Sequence, residues 1–245
     1  MKQKINLELK NIAIRQPTIQ VHPNLPVVPF SMLSVAKSGS GKTNSICNML
    51  LNYADIFKDN VFIFQRTMDL TVDKHLIKNK KINAIRFNSL YDDNGVHIIR
   101  AILNQQKELF EMGEEMPHVL IYMDDYYDPE MMKPIGIFSD LWTSARHYNV
   151  SLILVAHRWK KLLSSHLRSL THYFMLFRIT DDLEKKSVIS ELSNALNFNN
   201  KQFEFAFDYI TRQKYHFILI DAVNAKFFDC FNDPIECIDM MKQAG

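Results

Sequence analysis

The residue types that punctuate, stiffen or cross-link a chain are scarce here: six glycines, eight prolines and three cysteines in 245 residues. With no glycine- or serine-rich stretch, no repeat period and no low-complexity tract, nothing signals a linker or a modular array, and one large domain is expected. The cysteines, Cys47, Cys230 and Cys237, are odd in number and lack paired spacing. They support neither a disulfide framework nor a zinc site, and they point to a reducing compartment. No run of about 18 apolar residues occurs, and the opening "MKQKINLELKN" lacks the apolar stretch of a signal peptide. A soluble, intracellular protein with no membrane partner is expected. The charge balance, 29 Lys+Arg against 27 Asp+Glu, leaves only +2. A surface basic all over is excluded, so any nucleic-acid contact must be a local patch.

What the chain does have is apolar material, 47% hydrophobic and 11% aromatic, enough for a sizeable core. Four prolines, Pro17, Pro23, Pro26 and Pro29, fall in residues 1–29, which are expected to form an extended N-terminal arm before a single domain over 30–245. From residue 30 onward, short apolar runs recur at 30–35, 61–65, 82–87, 118–123, 150–156, 173–177 and 215–220. Most lack polar alternation, as strands covered on both faces do. Between them lie helical patterns, such as Ile46, Met49, Leu50 and Tyr53, and the stretch 95–113. Strands alternating with helices predict a three-layer α/β fold with a mainly parallel central sheet and right-handed crossovers. Residues 181–210 read as an exposed amphipathic layer, and 215–231 as a final hairpin turning near Asn224 and Ala225.

One stretch carries chemistry. "SVAKSGSGKT" (34–43) follows the first apolar run and opens the helix of Ile46 to Tyr53. It fits the phosphate-binding pattern G-x-x-x-x-G-K-[ST] except at Ala36, where the first glycine is expected. Gly39 and Gly41 allow a turn that aims successive N–H groups of the segment Ala36, Lys37, Ser38, Gly39, Ser40 at phosphate oxygens, and the helix N-terminus adds partial positive charge. Lys42 would reach the β- and γ-phosphates of ATP, and the Thr43 hydroxyl would complete a Mg2+ shell. A methyl group at Ala36 is harmless if that residue keeps a negative φ. "HVLIYMDDYYD" (118–128) supplies the partner: an apolar strand ending in Asp124 and Asp125. The first would hold Mg2+, and the second would orient or deprotonate the water attacking the γ-phosphate. Loop and acidic pair together point to an ATP-binding, ATP-hydrolysing P-loop protein.

Downstream, "DLWTSARHYNVSLILVAHRW" (140–159) and "LRSLTHYFMLFRIT" (167–180) add a family resemblance. With the two motifs above, in the same order over residues 30–180, they resemble the FtsK-HerA superfamily of DNA-pumping ATPases. Closest in flavour are the genome-packaging ATPases of poxviruses, other large DNA viruses and virophages. The resemblance implies the RecA-like (ASCE) form of the P-loop fold and a homo-oligomeric ring. It also implies that an arginine from a neighbouring subunit completes each site, with Arg146 and Arg168 as equal candidates and Arg178 beside them. The partners implied are double-stranded DNA, contacted without regard to sequence, and a capsid or its packaging vertex. The location implied is host cytoplasm, a viral factory or the virion. Two positions depart from the family pattern: His157 stands where a γ-phosphate-sensing glutamine is usual, and Leu170 where asparagine is. For DNA contact the sequence offers "HRWKK" (157–161), which mixes an aromatic with basic residues, and "KHLIKNKK" (74–81).

Two other readings fit the phosphate loop. A nucleoside or nucleotide kinase would also carry it, although the arginine-rich lid and base-recognition segment of such kinases are not evident. A nucleotide-binding capsid-assembly scaffold with little turnover would use the loop without needing Asp125.

Overall fold

The computed structural model describes residues 18–66, 82–133, 135–232 and 234–235. Among the described residues, nine strands form one sheet: β1 Ser31–Val35, β2 Val61–Phe64, β3 Ala84–Phe87, β4 Val119–Asp124, β5 Val150–Ala156, β6 Tyr173–Phe177, β7 Phe217–Asp221, β8 Lys226–Asp229 and β9 Pro234–Ile235. Their order in space is β3-β2-β4-β5-β1-β6-β7-β8-β9. The strands from β3 through β6 run parallel. The last three extend the sheet antiparallel, with the β7–β8 hairpin turning through Ala225 at φ 52. The mainly parallel α/β sheet read from the apolar runs is what forms.

Helices cover both faces, so the strands need apolar side chains on each. In β5, Leu152 and Leu154 enter one core while Ile153 and Val155 enter the other. The second core is closed by α1 Lys42–Leu51 and α2 Ala54–Phe57. The first is closed by α3 Ile98–Met112, α4 Ile137–Ser144, α5 Trp159–Leu162, α6 Ser165–Ser169, α7 Asp182–Leu196 and α8 Asn200–Thr211. The stretch expected as one amphipathic layer is thus two helices. Asn197 ends α7 in the left-handed region at φ 57, and the Asn199 side chain caps α8 by accepting from the Lys201 and Gln202 N–H groups. Val188, Leu192, Phe203 and Phe207 on these helices are fully buried against the sheet. Among the described residues, no helix is long and apolar enough to cross a membrane.

The segment just before β1 packs onto the α1 side of the sheet. Ile19 bridges Val28 antiparallel, Val28 and Leu25 are buried, and the Tyr53 hydroxyl donates to the Pro26 carbonyl at 2.6 Å. Residues 1–17 of the expected arm lie outside the described residues. Removing the Tyr53 hydroxyl leaves that buried carbonyl without its donor, at a cost of about 1–2 kcal/mol. Tyr53→Phe is therefore expected to lower the denaturation midpoint in urea without changing the slope. An unchanged midpoint would mean that this bond contributes nothing.

Candidate active site

Three strand ends define the site. Val35 pairs with Ala156, and Val155 with Asp124. The next residue on each strand, Ala36, His157 and Asp125, therefore emerges at one edge of the sheet. Ala36 continues the strand: it is not among the residues with positive φ, it is buried, and its N–H donates to the Ala156 carbonyl at 3.0 Å. The missing glycine thus imposes no backbone strain, as expected for a residue with ordinary φ. The strained positions are Gly39 at φ 78 and Gly41 at φ 90, where glycine belongs. Gly41 is also the N-cap of α1, and no side chain caps the N–H groups of that first turn. Those donors are available to an anion. Lys37 and Ser38 are exposed, Ser38 lining the cleft inside the loop and Lys37 donating to the Thr180 hydroxyl. The Ser40 Oγ is buried with no hydrogen-bond partner.

Inside the loop, Lys42 is buried, and its Nζ lies 3.0 and 3.1 Å from the two Asp125 carboxylate oxygens. A buried cation requires an anionic neighbour, and Asp125 supplies one. His157 joins them. Its Nε2 is 3.0 Å from Asp125 Oδ2, and its Nδ1 is 3.1 Å from the Ala36 carbonyl and 3.3 Å from Lys42 Nζ. Nδ1 donates to the first or accepts from the second according to tautomer. Asp125 itself is held at φ 49, an uncommon conformation for a residue with a side chain.

Asp124, one residue earlier, faces inward. Its Oδ2 accepts from Gln65 Nε2 at 2.9 Å, while Oδ1 is buried and makes no hydrogen bond of normal geometry, although the buried Tyr122 hydroxyl lies close enough to influence the carboxyl. Burial, and after it the charge of Asp125, raises the Asp124 pKa, with Lys42 opposing. A raised carboxylate beside an unsatisfied oxygen is what a divalent cation would relieve, and Thr43 lines the same cleft of about 500 Å³. The donor set of hydroxyl and carboxylate oxygens fits Mg2+. A second gathering of ligand atoms, His216, Asp229 and Cys230, lies within 4.8 Å. There His216 Nδ1 already pairs with Asp229 at 3.1 Å, and burial pushes the Cys230 thiol up to about 11.

Residues 21–237 match the family described as Poxvirus A32 protein. The chain belongs to that family. Curated proteins yield no match by sequence. Among solved structures, the genome packaging NTPase B204 from Sulfolobus turreted icosahedral virus 2, in complex with ATP-gammaS, is 16% identical. It has a TM-score of 0.58, covering 84% of this chain and 98% of that one. The pCW3 conjugation coupling protein TcpA, in a monomer form with ATPgS, is 14% identical with a TM-score of 0.55, covering 91% of this chain and 66% of that one. At such identities the likeness is one of fold, the mainly parallel α/β fold of P-loop NTPases. The resemblance drawn from the motifs therefore holds at the level of family and fold.

The arginines of this poxvirus A32 family member separate clearly. Arg168 is buried, and its Nε and Nη2 pair with Glu191 at 2.8 and 3.0 Å while Nη1 donates to the Leu163 carbonyl. The guanidinium also stacks over Trp159, whose indole N–H donates to the same Glu191. This sets Arg168 apart from Arg146, with which it was ranked equally, because its hydrogen-bonding groups are committed to partners within its own chain. Burial also corrects the reading of "HRWKK". Trp159 is core, leaving the exposed His157, Arg158 and Lys160 on the surface. "KHLIKNKK" lies outside the described residues.

Arg146 is exposed on the turn Ala145–Tyr148 that precedes β5, a strand's length of roughly 20 Å from His157 at its other end. Nearby His172 is held down to about 4, first by burial and then by the Arg146 charge. Arg146 cannot reach its own loop. Arg178, in contrast, is exposed beside Gly39 and Ser40.

Sequence reasoning missed three residues. Gln65 follows the β2 run and, with Phe64 paired to Met123, falls beside Asp124. Its position directly after an apolar run was the available signal. Glu191 and Tyr215 offered none, since only the tertiary fold brings them to Arg168 and to Gly41. Glu191→Ala leaves a buried guanidinium unpaired and is expected to destabilise the fold by about 2–4 kcal/mol, read as a lower denaturation midpoint. A neutral result would return Arg168 to the set of candidate arginines.

Proposed function

We propose that this protein is an ATP-driven translocase of double-stranded DNA that packages a viral genome into a preformed capsid. The observation that carries this is the cleft itself. Lys42 of a phosphate loop faces Asp125, and Asp124 keeps a buried, unpartnered oxygen beside Thr43. The family and the fold shared with a protein described as a genome packaging NTPase supply the context.

In this reading, residues 36–43 wrap the triphosphate of ATP and Lys42 transfers its charge contact from Asp125 to the β- and γ-phosphates. Thr43 and Asp124 would hold Mg2+, which neutralises phosphate charge when bound. Asp125, freed from Lys42, accepts a proton from water as the water oxygen bonds to the γ-phosphorus and the bond to the ADP oxygen breaks. His157 contacts both Asp125 and the loop carbonyl of Ala36, so it is placed to couple the γ-phosphate to the exposed Arg158 and Lys160 next to it. In a homo-oligomeric ring, Arg146 of one subunit completes the neighbour's site, a contribution of about 10³ to 10⁵ in rate. Basic groups contact DNA phosphates without reading sequence, so binding weakens steeply with salt. The capsid, or its packaging vertex, is the remaining partner.

Phosphate release by purified protein should rise on adding double-stranded DNA of any sequence at low salt, and fall back as salt increases. Lys42→Ala is expected to lose about 10²-fold or more in turnover. Asp125→Asn should lose about 10²- to 10⁴-fold while still binding ATP. Turnover indifferent to DNA would contradict the motor, and turnover indifferent to Asp125→Asn would contradict the assignment of the base.

A further inference from the structure

The phosphate loop accounts for the triphosphate but not for the rest of the nucleotide. Between α8 and β7 the chain makes a short turn, residues 212–216, and because β7 pairs antiparallel with β6 this turn lies at the sheet edge where the loop sits. Tyr215 occupies it at φ 69, in the left-handed region that few residues with side chains adopt. Its ring rests on the loop. A Cβ added at Gly41 would meet Tyr215 Cδ1 at 3.0 Å and Cγ at 3.5 Å. Only a glycine at 41 permits this approach.

The ring is nevertheless half open to solvent, at 53% relative exposure. Among the described residues it is the single aromatic lining the cleft that holds Lys42, Thr43 and Asp125, beside Asn44 and Asn48 further along α1. Lys214 Nζ lies over one face of the ring, 4.7 Å from its centroid. The part of the ring open to solvent stands in the same cleft as Lys42 and Thr43 and touches the residue before Lys42, where it can meet the portion of a nucleotide that extends beyond its phosphates.

We infer that Tyr215 is the stacking platform for the base of the bound nucleotide, an inference that rests on the nucleotide reading of the phosphate loop. Stacking uses the π-face that every base has, so the platform sets how tightly the nucleoside part is held, whereas the loop sets how tightly the phosphates are held. The turn at residues 212–216 then links base occupancy to β7 and to the antiparallel edge of the sheet.

The test compares two ligands, ATP-gammaS and inorganic tripolyphosphate, each with Mg2+, by equilibrium titration of the full chain, Tyr215→Ala and Tyr215→Phe. Tyr215→Ala should bind ATP-gammaS about tenfold more weakly and tripolyphosphate as the unsubstituted protein does. Tyr215→Phe should match the unsubstituted protein for both. Equal weakening of both ligands in Tyr215→Ala would show that the ring only shapes the loop around Gly41, and undiminished ATP-gammaS affinity would show that the base does not stack there. Either overturns the proposal. If the unsubstituted protein bound neither ligand, the phosphate-loop reading itself would fall, and this inference with it.

Discussion

The site depends on one constraint, the parallel register of three neighbouring strands. Because Val35 pairs with Ala156 and Val155 with Asp124, the chain leaves β1, β5 and β4 at adjacent points on one edge. The order of those strands matters as much as their alignment. β5 lies between the strand feeding the phosphate loop and the strand ending in the acidic pair, so His157 stands between Ala36 and Asp125 and touches both. Backbone hydrogen bonds across a buried sheet hold this spacing far more rigidly than any side-chain contact could.

Electrostatics follows from that geometry. Lys42 is a buried cation, Asp125 the anion set against it, and Asp124 a buried carboxyl whose pKa is raised by desolvation and by its neighbour. Two carboxylates and one lysine in so little space leave the site short of positive charge, which a cation bound at Asp124 and Thr43 would restore. An anionic phosphate entering the loop would then compete with Asp125 for Lys42 and turn that carboxylate toward water. The left-handed backbone of Asp125, at φ 49, keeps it at the cleft rather than along the strand axis.

Much of this was legible in the sequence because it is local. The phosphate loop, its placement between a strand and a helix, the harmless substitution at Ala36 and the apolar strands all rest on residues within one or two elements. What was not legible is tertiary. Arg168 looks like any basic residue until α7 brings Glu191 against it, and Trp159 looks like a surface aromatic among charges until it is found under the same carboxylate. Residues 181–210 read as an exposed amphipathic layer because of their mixed charges, yet Phe203 and Phe207 close one core. Tyr215 gained meaning only from the tertiary fold, and the place of Gln65 after an apolar run gained its meaning from strand order, which one sequence does not display. Arg146 lies the length of β5 from the phosphate loop of its own chain, which is why the proposed ring assigns it to a neighbouring copy.

The most direct measurement of the central claim is a crystal structure of the protein with ATP-gammaS and Mg2+. The triphosphate is expected within residues 36–43, with Lys42 Nζ moved from the Asp125 carboxylate to phosphate oxygens and Asp124 directed at the metal. A nucleotide bound elsewhere, or a Lys42 still paired with Asp125 beside a bound triphosphate, would contradict that claim.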